Sequence, residues 1–336
     1  MRDFDIVTLD RLKRIEIEPD YETWKEYAYK KGVHASVMTY LAARKKDFYK
    51  IENAADGKHF VTARGWDDLS EMIKLYEENG LAVDEQLICQ YLQDARISKD
   101  FAIYYDLFNK YRSDYQVEKI LDGTVSESIV LRAERASMDE RLSLLGLIFD
   151  SVTAQLRTVC ERENILDLVT GQLKTLKEKL KDVSGAAALL SKMIEAEREK
   201  LERGKQSSSI SPQTQRETRF MLEYLEEFRA AVMRSGTAQK DEFSVVRESF
   251  VQKVAELKGL AADGGRALEN VFSFCEKAFA DGDEILIFVT ELTANYYSAR
   301  FIGRYGCDRY YMHNKQLQFD QRQQEIIKRM DEIQWT

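Results

Sequence analysis

Proline is nearly missing from this chain of 336 residues, which has two, Pro19 and Pro212. Proline interrupts a helix interior by removing an amide donor and by ring clash, so so little of it points to an all-α body. Cysteine is sparse as well. Cys89, Cys160, Cys275 and Cys307 lie far apart with no CxxC pair, as expected of reduced, mostly buried thiols in a cytosolic protein. His34, His59 and His313 are the three histidines and none lies near another, so no His/Cys metal site is expected. No stretch approaches the ~18 consecutive apolar residues of a membrane span, and no apolar run is longer than that of Ile285–Val289. The opening MRDFDIVTLDRLKR has no apolar core of a signal peptide. The expected location is the cytoplasm, away from membranes.

Catalytic motifs are missing too. There is no GxxxxGK[ST] loop, no GxGxxG, and no apolar strand ending in Asp-Glu that could hold magnesium. GxSxG and HExxH are absent. With no amides cradling phosphates and no lysine at a γ-phosphate, the chain alone is not expected to hydrolyse a nucleotide.

What is present is a folding sequence with a charged surface, 44% apolar and 32% charged. A net charge of −8 argues against nucleic acid as a partner, because nonspecific binding needs a basic footprint. The basic run Arg44-Lys45-Lys46 reads as a solvated helix end.

Residues 4–18 hold the clear β signal, since Phe4-Asp5-Ile6-Val7 and Arg14-Ile15-Glu16-Ile17-Glu18 alternate as in a half-buried strand. Asp20 predicts the cap of a helix through Trp24, Tyr27 and Ala28, and a second helix follows Gly32 through Val37, Tyr40 and Leu41. A turn-rich segment, Asn53 to Gly57, leads to Val61-Thr62-Ala63-Arg64. That places Arg64 on a short loop ahead of a helix from Trp66 to Glu78, stopped by Asn79-Gly80. Helices over Asp84–Asp94 and Ser98–Leu121 complete the packet at Asp122-Gly123.

Beyond Gly123 the predicted helices are long and charged. Val169, Leu173, Leu176, Leu180 and Val183 step 4-3-4-3, a short heptad seam that indicates helix pairing. Gly185 marks a turn before a helix through Leu190, Met193 and Leu201, and Gly204 to Pro212 reads as a linker or hairpin tip. Helical spacing resumes through Met221, Tyr224, Leu225, Phe228 and Val232, then through Phe243, Val246, Phe250, Val254 and Leu257. The pair Gly264-Gly265 is expected to separate this from a helix through Val271, Phe272, Cys275 and Phe279. Ile285–Arg300 reads as one buried helix and Asn314–Trp335 as a terminal one. The fold class is therefore all-α: a helical packet with a short N-terminal β segment, then long helical hairpins, with boundaries at 1–19, 20–123 and 124–336.

Arginine is the residue left to carry chemistry, since it can stabilise charge on a transferring phosphoryl group from its own chain or a neighbour's. Arg11 and Arg14 flank the predicted strand and Arg64 precedes a helix. By spacing alone these are surface charges, the first two beside Glu16 and Glu18, Arg64 beside Asp67 or Asp68. The stretch LDRLKRIEIEPDYETWKEYAYKKGVHASVMTYL followed by HFVTARGWDDLSEMIKLYE resembles the end of an AAA+ ATPase module of the MoxR type, over roughly residues 5–120. The resemblance implies that Leu9-Asp10-Arg11 stands where that family has an arginine near the subunit interface, with Arg11 in a catalytic role. It implies that Thr62-Ala63-Arg64-Gly65-Trp66 is the sensor-2 segment of a helical lid, with Arg64 sensing nucleotide; Ala63 replaces the family's proline.

The same resemblance implies ATP and Mg2+ bound only through a core domain that this sequence lacks. Either the chain is truncated or its core lies on another polypeptide. Implied partners are that core or further copies of the chain, and a protein partner or substrate engaged by the C-terminal helices. The work implied is chaperone-like remodelling or metal-cofactor insertion. A second reading is a non-enzymatic helical scaffold for protein–protein contacts. Two further features stand out. Tyr296, Tyr297, Tyr305, Tyr310 and Tyr311 interleave with Arg300, Arg304 and Arg309, as core tyrosines beside surface arginines or as a partner-binding face. Asp281, Asp283 and Glu284 read as a helix cap before a cation site.

Overall fold

The computed structural model describes residues 18–54, 57–180, 185–207, 209–236, 242–280 and 282–315. Apart from one two-stranded sheet, the described chain is helical. It divides into two compact units between Asp114 and Tyr115, ahead of the boundary expected at Gly123. The predicted strand at residues 4–18 lies, but for Glu18, outside the described residues, as do Arg11, Arg14 and nearly all of the predicted terminal helix.

In the first unit, Asp20 caps α1 (Tyr21–Lys31), its carboxylate accepting the Thr23 amide at 2.8 Å, and Gly32 closes the helix at φ 76°. Helix α2 (Ala35–Ala43) follows and ends at Arg44. Arg44 pairs with Asp100 at 3.1 Å and Lys45 with Glu22 at 2.5 Å, so the basic run is a solvated helix end. A hairpin comes next, β1 (Lys50–Ala54) against β2 (Gly57–Val61), antiparallel with Ile51 opposite Phe60 and Ala54 opposite Gly57. The sequence reading missed it because the alternation is faint: Ile51 faces solvent while Val61 is fully buried. The Asp56-Gly57 pair was the available hairpin signal. Lys50 pairs with Asp94 at 2.8 Å and the Phe60 amide donates to Gln93 O at 3.0 Å, which anchors the hairpin.

Helix α3 (Ala63–Glu78) starts earlier than expected, so Arg64 belongs to its first turn rather than to a loop. The reason is Thr62, an extended N-cap whose hydroxyl accepts the Gly65 amide at 3.2 Å. Helices α4 (Glu85–Tyr91) and α5 (Ala95–Asp114) complete the unit. Its core gathers Trp24, Leu41, Trp66, Leu69, Ile73 and Phe101.

The second unit begins with α6 (Val117–Leu121). The expected helix Ser98–Leu121 is broken at Gln116, which takes a left-handed φ of 48°. Helix α6 packs on the long α11, which is why it belongs to the second unit. After α7 (Glu127–Arg135) come α8 (Met138–Lys179), α9 (Ala186–Gln206), α10 (Pro212–Ser235), α11 (Glu242–Phe279), α12 (Asp283–Ala294) and α13 (Tyr296–Tyr305), and residues 308–315 are again helical. The heptad seam is used: Val169 and Leu176 are buried, with Leu173 and Leu180 against the same core, and Val183 lies outside the described residues. That core joins the C-terminal part of α8 to α9, α10 and the start of α11 through Leu190, Leu225, Phe228 and Val246. The N-terminal part of α8 packs on α11, α12 and α13, where Phe272 and Phe288 meet edge to face at 5.4 Å.

Two expectations fail here for identifiable reasons. Gly264-Gly265 does not break a helix, because α11 runs straight through it. A Cβ on Gly264 would lie 3.2 Å from Leu156 Cδ2 and 3.5 Å from Phe301, so the glycine permits close helix packing. Ile285–Arg300 is two helices rather than one. Asn295 ends α12 and caps α13, its side-chain oxygen accepting the Tyr297 and Ser298 amides at 3.0 and 3.1 Å.

Among the described residues one helix, α8, is long and apolar enough to cross a membrane by length and composition, in contrast to the reading of consecutive apolar runs. Half of the qualifying stretch is buried within the protein, where it forms helix contacts.

Candidate functional site

Arg64 is held at a start of helix that its neighbours fix in place. Thr62 caps the helix. Gly65 brings the first turn against the end of α4, so closely that a Cβ there would lie 2.7 Å from Tyr91 O. Trp66 is fully buried, its indole Nε1–H donating to Asp47 O at 3.3 Å and its ring 5.6 Å from Tyr40 and 5.3 Å from Phe101. Asp47, itself buried, takes up the Tyr40 hydroxyl at 3.0 Å and Arg96 at 2.7 Å.

Amid this fixed backbone the Arg64 side chain is 89% exposed, its one ion pair among the described residues being to Asp68, four residues on, at 3.4 Å. The other carboxylate the sequence offered, Asp67, is engaged by Lys31 at 2.6 Å. An exposed i,i+4 pair is worth only about 0.3–0.5 kcal/mol. A guanidinium at the positive end of a 16-residue helix also opposes the helix dipole. Arg64 is therefore a cation little committed to its own fold, with donors suited to a phosphate oxyanion.

A Ser–His–carboxylate series in the same unit escaped the sequence reading. His34 Nδ1 lies 2.7 Å from Ser36 Oγ and His34 Nε2 lies 3.2 Å from Glu77 Oε2, while the Tyr105 hydroxyl donates to Glu77 Oε1 at 2.8 Å. Ser36 is fully buried and its amide donates to the same Nδ1 at 3.2 Å, so His34 acts as the cap of α2 and not as a base for a nucleophile. Two residues apart in sequence, His34 and Ser36 gave the local half of this signal; Glu77 is brought in only by packing.

The aromatic and basic residues singled out near the C-terminus do converge, in the second unit, on a buried carboxylate. Glu163 of α8 is 2% exposed and pairs with Arg300 at 3.2 Å and with Arg304 at 2.9 Å; Tyr305 donates its hydroxyl to it. Burial and the Glu163 charge push the Tyr305 hydroxyl up to about 12. Nearby Cys160 is buried and its thiol pushed up, chiefly by burial, to about 11. Arg309 belongs elsewhere, to Glu276 and, at 3.1 Å, to Glu269; His313 reaches Glu276 at 3.1 Å and stacks on Phe272.

Glu284 is no cation ligand. It is buried and paired with Arg141 at 2.8 Å, and Arg141 also donates to Ala136 O at 3.0 Å, which ties the end of α7 to the start of α12. Among the described residues no group of three or more His, Cys, Asp or Glu side chains is arranged to hold a metal. No protein-family model, no curated protein and no solved structure matches this chain.

Proposed function

We propose that the chain is the lid and C-terminal helical region of a MoxR-like AAA+ ATPase, acting with a nucleotide-binding core carried elsewhere. In this reading Arg64 contacts the phosphates of ATP held with Mg2+ by that core and couples nucleotide state to lid position, and Arg11 acts at the nucleotide of a neighbouring subunit. The long helices of the second unit engage a protein partner or substrate for chaperone-like remodelling, in the cytoplasm. One observation carries the reading: Thr62, Gly65 and Trp66 are each consumed in fixing the first turn of α3, and Arg64 between them is left to solvent.

The test is nucleotide binding by this chain mixed with a candidate core. Wild type should raise the affinity of the mixture for ATP and Arg64→Ala should abolish that gain. The loss of one charge-assisted contact of this kind is worth about 1.5–3 kcal/mol, roughly a tenfold to hundredfold change. An unaltered affinity with Arg64→Ala, in a chain that still assembles with the core, would remove Arg64 from nucleotide sensing. Stable assembly with other proteins and indifference to any core would favour the scaffold reading. That reading draws support from Arg300, Arg304 and Arg309, which the second unit ties to its own carboxylates.

A further inference from the structure

The face of α13 in the second unit combines charge and aromatic surface in a way that folding alone does not require. Tyr296, Arg300 and Arg304 lie four residues apart, on one stripe of the helix. Tyr296, at the head of the stripe, is 47% exposed, whereas Tyr305 leaves the helix half a turn round from it. Between Lys277 and Lys315 the chain has no lysine, and its cations are Arg300, Arg304 and Arg309, interleaved with five tyrosines. Tyrosine and arginine are the residue types that dominate binding hot spots, whereas lysine is depleted at interfaces.

The charge balance gives the face a direction. Burying Glu163 demands compensation, and one guanidinium would neutralise it. Two are present. Arg300 and Arg304 share that single carboxylate, which leaves one net positive charge beside an exposed ring on a chain whose total is −8. Arg304 meets Glu163 through Nε, and its side chain is 56% exposed. Its two terminal nitrogens have no partner among the described residues, so the planar edge that grips a carboxylate through two parallel bonds points away from the pair that orients it. Glu163 thus acts as a positioning residue that pre-orders both arginines, which lowers the entropy lost when a ligand is held.

We infer that the Tyr296–Arg300–Arg304 stripe docks an acidic peptide segment of a partner protein, with a ligand carboxylate on the Arg304 fork and an apolar ligand side chain against Tyr296. Charge complementarity selects this occupant. The rest of an acidic surface repels such a segment, and this face attracts it. A nucleic acid would need a broad basic footprint that these residues do not make. The inference rests on the partner-engaging half of the proposed function and is independent of its nucleotide half.

The experiment uses the full chain and a fluorescein-labelled peptide of alternating Glu and Leu, followed by fluorescence anisotropy, with a Gln-and-Leu peptide and a single-stranded RNA oligonucleotide as comparisons. Wild type should bind the Glu peptide saturably and more tightly than the other two. Arg304→Ala and Tyr296→Ala should each weaken binding about tenfold, a hot-spot effect. Arg304→Lys should restore only part of the loss, because a point charge lacks the fork. Circular dichroism melts establish that the variants are folded, and Tyr296→Ala, outside the Glu163 pairing, decides the matter if Arg304→Ala melts early. Arg64→Ala should leave peptide affinity unchanged, so failure here and failure of nucleotide sensing are separate results. The inference is overturned by equal binding of the Gln peptide, by preferred binding of RNA, or by unchanged affinity in folded Tyr296→Ala.

Discussion

At the scale of the residue, the two neighbours Arg64 and Gly65 should respond in opposite ways to loss and gain of atoms. Arg64→Ala removes an exposed side chain with one weak pair, so the thermal stability of the first unit should stay within about 0.5 kcal/mol of wild type. Gly65→Ala adds a single methyl group, yet that carbon would fall 2.7 Å from Tyr91 O, a backbone atom that cannot swing aside. A destabilisation of about 1–3 kcal/mol is expected from such overpacking, read by thermal or urea denaturation. Equal stability of the two variants would refute the close approach of α3 to α4. The thiols offer another residue-scale test. Burial pushes Cys160 up to about 11 and Cys307 up to about 12, with Cys275 raised further still, while Cys89 is partly exposed. Alkylation of the native protein near neutral pH should label Cys89 first and leave the other three until denaturation, as mass spectrometry would show.

At the scale of the element, Glu77 joins three helices, since it stands in the last turn of α3 and meets His34 before α2 and Tyr105 on α5. Burial pushes its carboxyl up, but the hydrogen bond and charge of His34 and the Tyr105 hydroxyl outweigh burial and hold it below its ordinary 4.5. A carboxyl lowered by folding adds stability that is fully present above 4.5 and is lost as pH falls through the lower, folded value. Acid should therefore loosen the packing of α3 on α5, and Glu77→Gln should flatten that part of the acid profile. A profile unchanged by Glu77→Gln would dismiss the linkage.

Elements also show what could be read in advance and what could not. The Asp20 cap, the Gly32 stop and the seam from Val169 to Leu180 were legible because each signal is local, a cap residue, a left-handed position or a repeat. The α11 glycines misled for the opposite reason. Gly264 is explained by Leu156 and Phe301, side chains that reach it only through the tertiary fold. The hairpin at Lys50–Val61 was lost because its tie to Gln93 and Asp94 is likewise nonlocal. For the candidate site, the motif around Arg64 was visible as a string, but its exposure and the fixing of Gly65 by Tyr91 were not. Glu163 was passed over as one acidic residue among many on a helix. Its partners lie more than a hundred residues away, so nothing near it in sequence marked it as the centre of the arginine cluster.

At the scale of the whole molecule, each unit buries a carboxylate paired with arginine, Asp47 with Arg96 in the first and Glu163 with Arg300 and Arg304 in the second. The second unit stakes its interior on Glu163, and Glu163→Ala would strand Arg300 and Arg304 beside a cavity. A loss of about 1–3 kcal/mol is expected, because the two arginines left behind are partly solvated, at 25% and 56% exposure; it is measurable by chemical denaturation, and no loss would show the pairing to be superficial. Helix α8, which carries Glu163, has 42 residues and so extends about 63 Å at the rise of an α-helix. It belongs to two packed cores, one with α12 and α13 and one with α9 and α10, and it passes between them without a described break. Such a rod has no hinge. Torque applied where α13 meets α8 is delivered to the far hairpin with little compliance along the way, as through a drive shaft.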